Sequence, residues 1–500
     1  MSKQFLAFHN VSFGYESSLE NILGDVSIKI ARGWTGVIGS NGSGKTTLLK
    51  LACGLLTPND GSIERPANSY YNEQRTDCEP INFMELLQSY DKLVFQLIDG
   101  LQIKPDWIER WETLSHGERK RAQIACALFN QPDLLAIDEP TNHLDSEAKK
   151  MLLDSLKSYK GIGLLVSHDR ELIEDLCAQF IFIDSPVIDF RRGKLSEVMK
   201  QRKSENDFAL KQIEIKQLEL SKLEKEYQRR SAVVEKMRKK SSKKDIDKKD
   251  HDAKAKIDLG RLTGKDAVGG KLKTRMQRRI DTAKSQMSGI EIKREYQTGI
   301  VLSDSVSKRN FLLNLEPGII SLSSREILLH QNLFIGSIDK IAVTGENGSG
   351  KSTLIKYIMQ FLNAEPENIT YIPQEISVDE TKQLNADIKK LQNDQLGKLM
   401  IIVSRLGSDA KRLLSTEIPS PGETRKLLLG LGIAKNPHII IMDEPTNHID
   451  LVSIECLEDA LKNVSCALLL VSHDKHFLDA LTNKEWRLSG DSKTFEVECV

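Results

Sequence analysis

Gly39-Ser-Asn-Gly-Ser-Gly-Lys45-Thr46 and Gly345-Glu-Asn-Gly-Ser-Gly-Lys351-Ser352 are two copies of one stretch, and this stretch decides the fold. Both copies fit G-x-x-x-x-G-K-[ST], in which backbone N–H groups curl around phosphates, the lysine reaches the terminal phosphates and the hydroxyl ligates Mg²⁺. Each copy follows an apolar run and precedes a helical pattern, so the helix N-terminus also favours an anion. The sequence therefore predicts a protein built around two nucleoside triphosphates.

The expected phosphate-binding residues are those of the two loops and the threonine that follows each loop. They are Gly39, Ser40, Asn41, Gly42, Ser43, Gly44, Lys45, Thr46, Thr47, Gly345, Glu346, Asn347, Gly348, Ser349, Gly350, Lys351, Ser352 and Thr353.

Paired carboxylates follow a strand pattern in each half of the chain. Leu134-Leu-Ala-Ile-Asp138-Glu139 and Ile439-Ile-Ile-Met-Asp443-Glu444 are apolar runs that end in two acids. The first acid can hold Mg²⁺ through water, and the second can polarise the water that attacks the γ-phosphorus. A glutamine at the end of an earlier strand, Gln74 or Gln374, could face the same metal and water. The expected metal-site residues are Thr46, Gln74, Asp138, Ser352, Gln374 and Asp443.

Two further patterns recur after these elements. Ser115-His-Gly117-Glu118 precedes a strong helical pattern, and Ser420-Pro-Gly422-Glu423 takes the corresponding place in the second half. Alone, such a pattern indicates only a helix N-cap with an acid in the first turn, although the same helix end can bind an anion. A further apolar strand ends in His168 or His473, whose imidazole could sense the γ-phosphate.

The spacing of these motifs indicates a duplicated domain with unequal copies. Lys45 and Glu139 are 94 residues apart, and Lys351 and Glu444 are 93 apart. Tyr15, about two dozen residues before the first loop, could stack on a base, although a half-buried strand tyrosine is the simpler interpretation. The second half has no aromatic residue at that spacing. In addition, a proline precedes Ser420 of its Ser-Pro-Gly-Glu pattern and constrains the backbone there. We therefore expect the second site to be less selective or slower.

The middle of the chain is helical and basic. Ile213, Leu220, Tyr227 and Val234 recur seven residues apart, which is a heptad seam, and a period of three to four resumes from Met276. From residue 200 to residue 284 there are 27 Lys and Arg against 14 Asp and Glu, although the whole chain has zero net charge. A solvated lysine-rich helix pair would show this charge, and so would an element that binds a polyanion.

We expect two antiparallel helices joined by a basic tip at about residues 241–275. The tip residues expected to bind RNA are Lys243, Lys244, Lys248, Lys249, Lys254, Lys256, Arg261, Lys265, Lys271 and Lys273.

Composition excludes several classes of protein. The seven cysteines among 500 residues are scattered and have no C-x-x-C spacing, which argues against a disulfide framework or a zinc site. The N-terminus lacks a secretory apolar segment. No apolar run approaches the ~20 residues that cross a bilayer. The sequence thus predicts a cytoplasmic protein that is not itself a membrane channel.

The ordered set of phosphate loop, glutamine, Leu-Ser-His-Gly-Glu, Ile-Asp-Glu-Pro-Thr-Asn-His-Leu-Asp and Val-Ser-His-Asp resembles an ATP-binding-cassette (ABC) nucleotide-binding domain. The resemblance implies an α/β fold with two tandem P-loop ABC nucleotide-binding domains joined by a long α-helical hairpin linker. The implied ranges are 1–198 (the first cassette), 199–304 (the linker) and 305–500 (the second cassette).

The same resemblance implies a chemistry and its cofactors, ATP and Mg²⁺. The two cassettes would pair head to tail. Each ATP would then lie between one phosphate loop and the signature motif (Ser115–Glu118 or Ser420–Glu423) of the other cassette. The implied roles are ATP hydrolysis by Glu139, Glu444, His168 and His473, adenine contact by Tyr15, and trans contacts by Ser115, Gly117, Ser420 and Gly422.

Two cassettes on one chain, a basic helical linker and Glu-Pro-Thr-Asn-His-(Leu/Ile)-Asp in both copies are similar to the ABC-F family. This resemblance implies binding of the 70S ribosome near the tRNA exit site, with the linker extended toward the P-site tRNA and the peptidyl-transferase centre. The implied partners are 23S rRNA and P-site tRNA, without a membrane partner, for a monomer whose cassettes pair with each other.

The family leaves three functions open. The short interval between Thr47 and Ser115 leaves little room for an inserted arm, which favours antibiotic resistance by ribosome protection. The alternatives are a translation factor that relieves stalled ribosomes without antibiotic, and a soluble ATPase subunit of an ABC transporter. A DNA-repair cassette ATPase is disfavoured because the hairpin lies between the cassettes and no zinc spacing is present.

Overall fold

The computed structural model describes most of the chain. The described residues are 5–16, 21–141, 144–240, 265–288, 307, 309–322, 325–346, 348–408, 413, 419–447, 449–490 and 494–499. The chain forms two compact units, one made of Met1–Val198 with Tyr296–Val500 and the other of Met199–Glu295. Both cassettes therefore belong to a single unit.

The first cassette alternates strands and helices. Its strands are β1 (Leu6–Phe13), β2 (Leu23–Ile30), β3 (Gly33–Gly39), β4 (Asp60–Glu64), β5 (Ser69–Asn72), β6 (Leu134–Asp138), β7 (Ile162–Val166), β8 (Cys177–Asp184) and β9 (Val187–Arg192). Its helices are α1 (Lys45–Cys53), α2 (Phe83–Gln88), α3 (Lys92–Gly100), α4 (His116–Phe129), α5 (Ser146–Lys157) and α6 (Arg170–Leu176).

The second cassette follows the same plan. Its strands are β10 (Phe311–Leu315), β11 (Gly318–Leu322), β12 (Arg325–Leu329), β13 (Leu333–Gly336), β14 (Lys340–Gly345), β15 (Ile369–Ile372), β16 (Ile439–Asp443), β17 (Ala467–Val471), β18 (Lys484–Gly490) and β19 (Thr494–Cys499). Its helices, numbered after the two of the linker, are α9 (Lys351–Phe361), α10 (Val378–Lys389), α11 (Asn393–Arg405), α12 (Pro421–Ala434), α13 (Leu451–Lys462) and α14 (Lys475–Leu481).

The central sheets of the two cassettes have the same strand order. The first sheet runs β5-β6-β7-β3-β8-β9, and the second contains β19-β18-β14-β17-β16-β15. Neighbouring strands are parallel except at the β8–β9 and β18–β19 pairs. The strand before each phosphate loop, β3 or β14, lies in the middle of its sheet. Each loop therefore opens where the carboxyl ends of several strands meet, as in other α/β nucleotide-binding sheets.

Burial explains why the carboxylate strands read as continuous apolar runs. Every residue of β6, β7, β16 and β17 is buried, which is expected of parallel strands covered by helices on both faces. In the first cassette, Leu48 and Leu49 of α1 pack in the same core as Leu134 and Ala136 of β6. The sheet core thus fixes the strand ends from which the carboxylates extend.

The linker contains two helices, α7 (Leu195–Lys240) and α8 (Lys265–Ser288). Their contacts run in opposite directions along the two helices. Lys284 Nζ lies 3.1 Å from Glu224 Oε1, whereas the earlier Lys273 lies over the ring of the later Tyr227. This order of contacts is antiparallel, and the predicted helical hairpin is therefore confirmed within the described residues.

The predicted extent of the linker tip was wrong at its C-terminal end. Helix α8 begins at Lys265, so residues 265–275 are helical and Gly269-Gly270 lies inside the helix. A glycine costs about 1 kcal/mol relative to alanine in a helix. Good helix formers surround the two glycines, and Met276 and Ile280 are buried further along α8. Residues 241–264 and 289–306 lie outside the described residues, so the boundary predicted at residue 304 stays a prediction.

Within the described ranges, none of the helices combines the length and the apolar character that crossing a bilayer requires.

Candidate functional site

The two phosphate loops have the same local geometry. Gly42 and Gly44 have φ of 79° and 103°, and Gly348 and Gly350 have φ of 82° and 90°. These left-handed conformations suit glycine and turn consecutive amides toward one concave side of the loop. Gly44 and Gly350 are also the N-caps of helices α1 and α9.

The loop lysines fold back over these concave loops. Lys45 Nζ donates to Gly39 O at 2.8 Å, and Lys351 Nζ donates to Gly345 O at 2.8 Å and to Glu346 O at 2.8 Å. Burial lowers the pKa of both lysines, although carboxylates of the site act in the opposite direction. A buried ammonium that donates to carbonyl oxygens is a strong partner for phosphate oxygens.

A hydroxyl and a carboxylate meet beside each loop, as the metal prediction requires. Thr46 Oγ1 donates to Asp138 Oδ2 at 2.6 Å. Ser352 is likewise hydrogen-bonded to Asp443, whose Oδ1 is buried without a hydrogen-bond partner among the described residues. Burial raises the pKa of both aspartates. The donor set fits Mg²⁺, which takes a few protein oxygens and completes its shell with water and phosphate.

No cluster of three or more His, Cys, Asp or Glu that could hold a metal ion occurs in the described part of the chain. In phosphoryl-transfer sites Mg²⁺ usually takes several of its ligands from phosphate and water rather than from protein groups.

The two candidate bases share an unusual backbone conformation. Glu139 and Glu444 have φ of 48° and 49°, in the left-handed region that costs a non-glycine residue about 1–3 kcal/mol. The N–H of each donates to the last residue of the neighbouring strand, Val166 O or Val471 O, at 2.9 Å. The sharp turn directs each buried carboxylate across the strand ends.

Each glutamate faces the histidine of its own cassette, but at unequal distances. His168 Nε2 lies 2.8 Å from Glu139 Oε1, and His473 Nε2 lies 3.5 Å from Glu444 Oε1. Burial would raise the pKa of Glu139, but the charges of His168 and Lys45 outweigh it and the net pKa is lowered. Burial raises the pKa of Glu444 to about 7, and burial together with Lys351 lowers the pKa of His473 to about 4. The two sites are therefore electrostatically unequal.

The cassettes meet head to tail through the aspartates of the Thr-Asn-His-(Leu/Ile)-Asp motifs. Asn41 N, in the first phosphate loop, donates to Asp450 Oδ2 of the second cassette at 3.1 Å. Asp145 of the first cassette acts electrostatically on Lys351 of the second. Asp145 and Asp450 also cap helices α5 and α13, and Asp450 does so through its other carboxylate oxygen, Oδ1. The first phosphate loop thus contacts the capped N-terminus of a helix of the opposite cassette.

A cleft of about 390 Å³ lies between the cassettes and holds most of the expected second site. The second cassette contributes the phosphate loop, glutamine, carboxylate and histidine positions Gly348, Gly350, Lys351, Ser352, Thr353, Gln374, Asp443, Glu444 and His473. The first cassette contributes Thr141, Leu144, Lys149, His168, Asp169, Arg170 and Glu171. The cleft is therefore a composite site with walls from both halves of the chain.

The signature serines do not line this cleft. Ser115 and Ser420 instead form capping boxes. Each serine hydroxyl accepts a hydrogen bond from the backbone N–H of Glu118 or Glu423, and the carboxylate of that glutamate accepts one from the backbone N–H of the serine. Pro421 occupies the first helical position after Ser420, where a missing N–H is tolerated. A Cβ atom at Gly117 would lie 3.3 Å from Leu144 Cδ2, and Leu144 does line the cleft. The trans contacts predicted for Ser115, Gly117, Ser420 and Gly422 stay predictions.

A basic residue on α4 and one on α12, the helices that begin at the signature motifs, donate hydrogen bonds to the backbone around the glutamine of their own cassette. Lys120 Nζ donates to Glu73 O at 3.0 Å and to Gln74 O at 3.1 Å. In the second cassette Arg425 donates to Gln374 O in the same way. Both glutamine side chains are exposed, and Gln374 lines the cleft beside Ser352 and Asp443.

Tyr15 lies beside the first phosphate loop. Its hydroxyl is 3.1 Å from Thr47 Oγ1, and its ring packs edge-on against Phe13 at 5.1 Å between centres. The ring is 43% exposed and can accept a planar group, so the adenine contact stays a prediction.

Other predicted positions lie outside the described residues, namely Asn347, Lys243, Lys244, Lys248, Lys249, Lys254, Lys256 and Arg261. Lys265 and Lys271 are placed only by their backbone in α8.

Sequence reasoning missed four residues at the interface between the cassettes, namely Asp145, Asp450, Lys149 and Arg170. The sequence could have indicated Asp145 and Asp450, because each of them ends a repeated motif immediately before a helix begins. Lys149 and Arg170 had no such signal, since their significance depends on which residues of the opposite cassette they face.

Comparison with known proteins agrees with this geometry. A family model described as ABC transporter matches residues 23–142 and 330–447. The ribosome protection protein VmlR of Bacillus subtilis (strain 168) is 28% identical over 507 residues, which covers 98% of this chain and 87% of VmlR. A probable ATP-binding cassette sub-family F member 3 homolog of Encephalitozoon cuniculi (strain GB-M1) is 27% identical over 474 residues, which covers 92% of this chain and 76% of that protein. The chain carries two ABC-type segments and is similar over most of its length to ABC-F proteins.

A solved structure supports the architecture of two ABC cassettes on one chain. The archaeal ribosome recycling factor aABCE1, crystallised with the ribosomal stalk protein aP1, matches with a TM-score of 0.61 at 16% identity. The match covers 98% of this chain and 89% of that one, and it concerns the fold alone. The predicted α/β fold of two tandem P-loop ABC nucleotide-binding domains joined by a helical linker is confirmed.

Proposed function

We propose that this protein is an ABC-F ATPase that binds the ribosome in its ATP-bound form and protects it from an antibiotic. One observation carries the proposal. The similarity to a protein named for ribosome protection extends over 98% of the chain, so it includes the linker as well as both cassettes. A resemblance confined to the cassettes would support ATP binding but no particular output.

The cassettes would work as a switch that closes on nucleotide. Mg²⁺·ATP supplies a terminal phosphate whose charge both cassettes can contact. Lys45 and Lys351 would bind phosphate oxygens, and the pairs Thr46–Asp138 and Ser352–Asp443 would hold the metal. Existing contacts between the cassettes, such as that between Asn41 and Asp450, already align the two halves for closure.

Opening would follow hydrolysis, for which the chain supplies a base in each cassette. Glu139 and Glu444 would each polarise a water molecule, and His168 and His473 lie close enough to orient these carboxylates. Loss of the terminal phosphate removes charge from the interface and releases the closed form.

The linker would deliver the output at the ribosome. We propose that the closed protein binds the 70S ribosome near the tRNA exit site and extends the linker toward the P-site tRNA and the peptidyl-transferase centre. Binding of 23S rRNA and tRNA phosphates by a segment with 27 basic and 14 acidic residues would be largely electrostatic. The proposal implies a cytoplasmic monomer.

In vitro translation tests this function. The wild-type protein should restore translation inhibited by at least one member of a panel of peptidyl-transferase and exit-tunnel antibiotics. The Glu139→Gln/Glu444→Gln double variant, which cannot complete the cycle, should not restore it. Restored translation of stalled messages without any antibiotic would favour the translation-factor alternative, and binding to a membrane partner instead of ribosomes would favour the transporter subunit.

A further inference from the structure

Lys149 is a residue of the first cassette whose side chain lies in the composite cleft of the second. It stands on α5, four residues after the capping Asp145. Its side chain is 26% exposed, and its Nζ lies 2.7 Å from Asp169 Oδ2. The cleft that Lys149 and Asp169 line is the one that also contains Lys351 and Glu444.

The charge of Lys149 acts on the reacting groups of the second cassette. Burial is the main reason that the pKa of His473 falls to about 4, and Lys351 and Lys149 act in the same direction. Burial raises the pKa of Glu444, and Lys351 and Lys149 oppose that rise. Lys149 lines the same cleft as Glu444 and His473, and the directions of these pKa shifts agree with that position.

The corresponding position in the other cassette carries no charge. Ile454 stands four residues after Asp450, as Lys149 does after Asp145, and Ile454 is buried in the core of the second cassette. The first cassette thus places an ammonium group, that of Lys149, at the second site. At the equivalent position the second cassette has only the apolar side chain of Ile454 in its own core.

A purely structural role explains Lys149 less well. Its partner Asp169 caps helix α6 by accepting the N–H of Leu172 at 3.1 Å. Asp474 caps helix α14 in the same way, and the second cassette has Ile454 rather than a lysine at the matching position. The capping aspartate therefore does not need a lysine at this place.

We propose that Lys149 is a phosphate-binding residue of the second nucleotide site, contacting in trans the terminal phosphate of a nucleoside triphosphate held by the Lys351 loop. The proposal rests on the nucleotide binding included in the proposed function. On binding, the ammonium group exchanges the Asp169 carboxylate for phosphate oxygens, or shares its three N–H donors between them. Lys149 then senses whether the terminal phosphate is present, because it approaches from the cassette opposite the loop.

Equilibrium binding tests this role without relying on hydrolysis. In a Lys45→Ala parent, which silences the first site, binding of a fluorescent mant derivative of the non-hydrolysable analogue AMP-PNP is titrated with Mg²⁺ and compared with mant-ADP. Lys149→Met should weaken AMP-PNP binding about tenfold, as expected for loss of one charge-assisted contact, and should change ADP binding less than about twofold. Lys149→Arg should retain most of the AMP-PNP affinity.

Two control variants separate phosphate contact from structural effects. Asp169→Asn keeps the helix cap but removes the partner charge, so it should preserve or increase AMP-PNP affinity. Lys150→Met removes an exposed neighbouring charge and should have no effect.

Equal AMP-PNP affinity of Lys149→Met and the parent would overturn the proposal, as would an equal loss in Asp169→Asn. If the parent binds no AMP-PNP at all, the second site is not a nucleotide site and the proposed function itself fails.

Discussion

Arg170 Nη1 lies 2.8 Å from Glu458 Oε1, and this ion pair joins the two cassettes across 288 residues of sequence. Both side chains are largely buried, and the charge of Arg170 opposes the rise that burial produces in the pKa of Glu458. The corresponding residues on the other side of the pseudo-symmetric interface are Lys475 and Leu153, which cannot form an ion pair. The interface between the cassettes therefore has this ion pair on one side of its pseudo-symmetry axis, without an equivalent pair at the corresponding residues.

Removing one partner of this pair should loosen the cassette interface. Arg170→Met leaves the Glu458 carboxylate buried without its cation, and we expect a loss of about 1–3 kcal/mol in the free energy of unfolding. Urea titration followed by circular dichroism measures this loss. The Arg170→Met/Glu458→Gln double variant should recover part of it, because neither charge remains.

A matched control uses an exposed ion pair. Lys382 and Asp379 are 3.2 Å apart on the surface of the second cassette. Lys382→Met should change the free energy of unfolding by less than about 0.5 kcal/mol. If both substitutions have equally small effects, the Arg170–Glu458 pair does not stabilise the interface.

The two glutamates should respond differently to pH. The pKa of Glu444 is raised to about 7 by burial, whereas the pKa of Glu139 is lowered. A base acts only when ionised, so hydrolysis that depends on Glu444 should rise as pH increases from about 6 to 8. The Glu139→Gln variant, which retains only Glu444, should show this rise in steady-state phosphate release.

The reciprocal variant provides the comparison. Glu444→Gln retains Glu139, which stays ionised over the same range, so its rate should be nearly flat between about pH 6 and 8. Parallel pH profiles for the two variants would contradict the inequality of the sites.

The basic tip should govern ribosome affinity through its charge. Replacing Lys243, Lys244, Lys248 and Lys249 by Gln should weaken ribosome binding and make it less sensitive to salt, because fewer phosphates are neutralised. Filter binding at several KCl concentrations measures both effects, and ATP hydrolysis without ribosomes should be unchanged. An unaltered salt dependence would remove these lysines from the interface.

Much of the fold followed from the sequence because its signals are local. The phosphate loops, the apolar strand before Asp138 and the heptad seam through Ile213 each depend on neighbouring residues. The near-equal spacing of the two motif sets indicated the duplication, and the strand orders of the two sheets agree with it.

The remaining features depend on contacts or on energies that a local pattern does not contain. The positive φ of Glu139 and Glu444 is imposed by hydrogen bonds to the neighbouring strand. The pairing of Arg170 with Glu458 arises only when the cassettes meet. The tip was predicted to extend to about residue 275, but helix formers around Gly269 and Gly270 outweigh the unfavourable helix propensity of these two glycines.

The central claim is that nucleotide-driven closure of the two cassettes allows the protein to bind ribosomes. Cosedimentation of the Glu139→Gln/Glu444→Gln variant with 70S ribosomes through a sucrose cushion tests it most directly. With ATP the variant should pellet with ribosomes, and with ADP, or with added Lys45→Ala and Lys351→Ala substitutions, it should stay in the supernatant. A variant that binds ATP but stays in the supernatant with ATP present would contradict the claim.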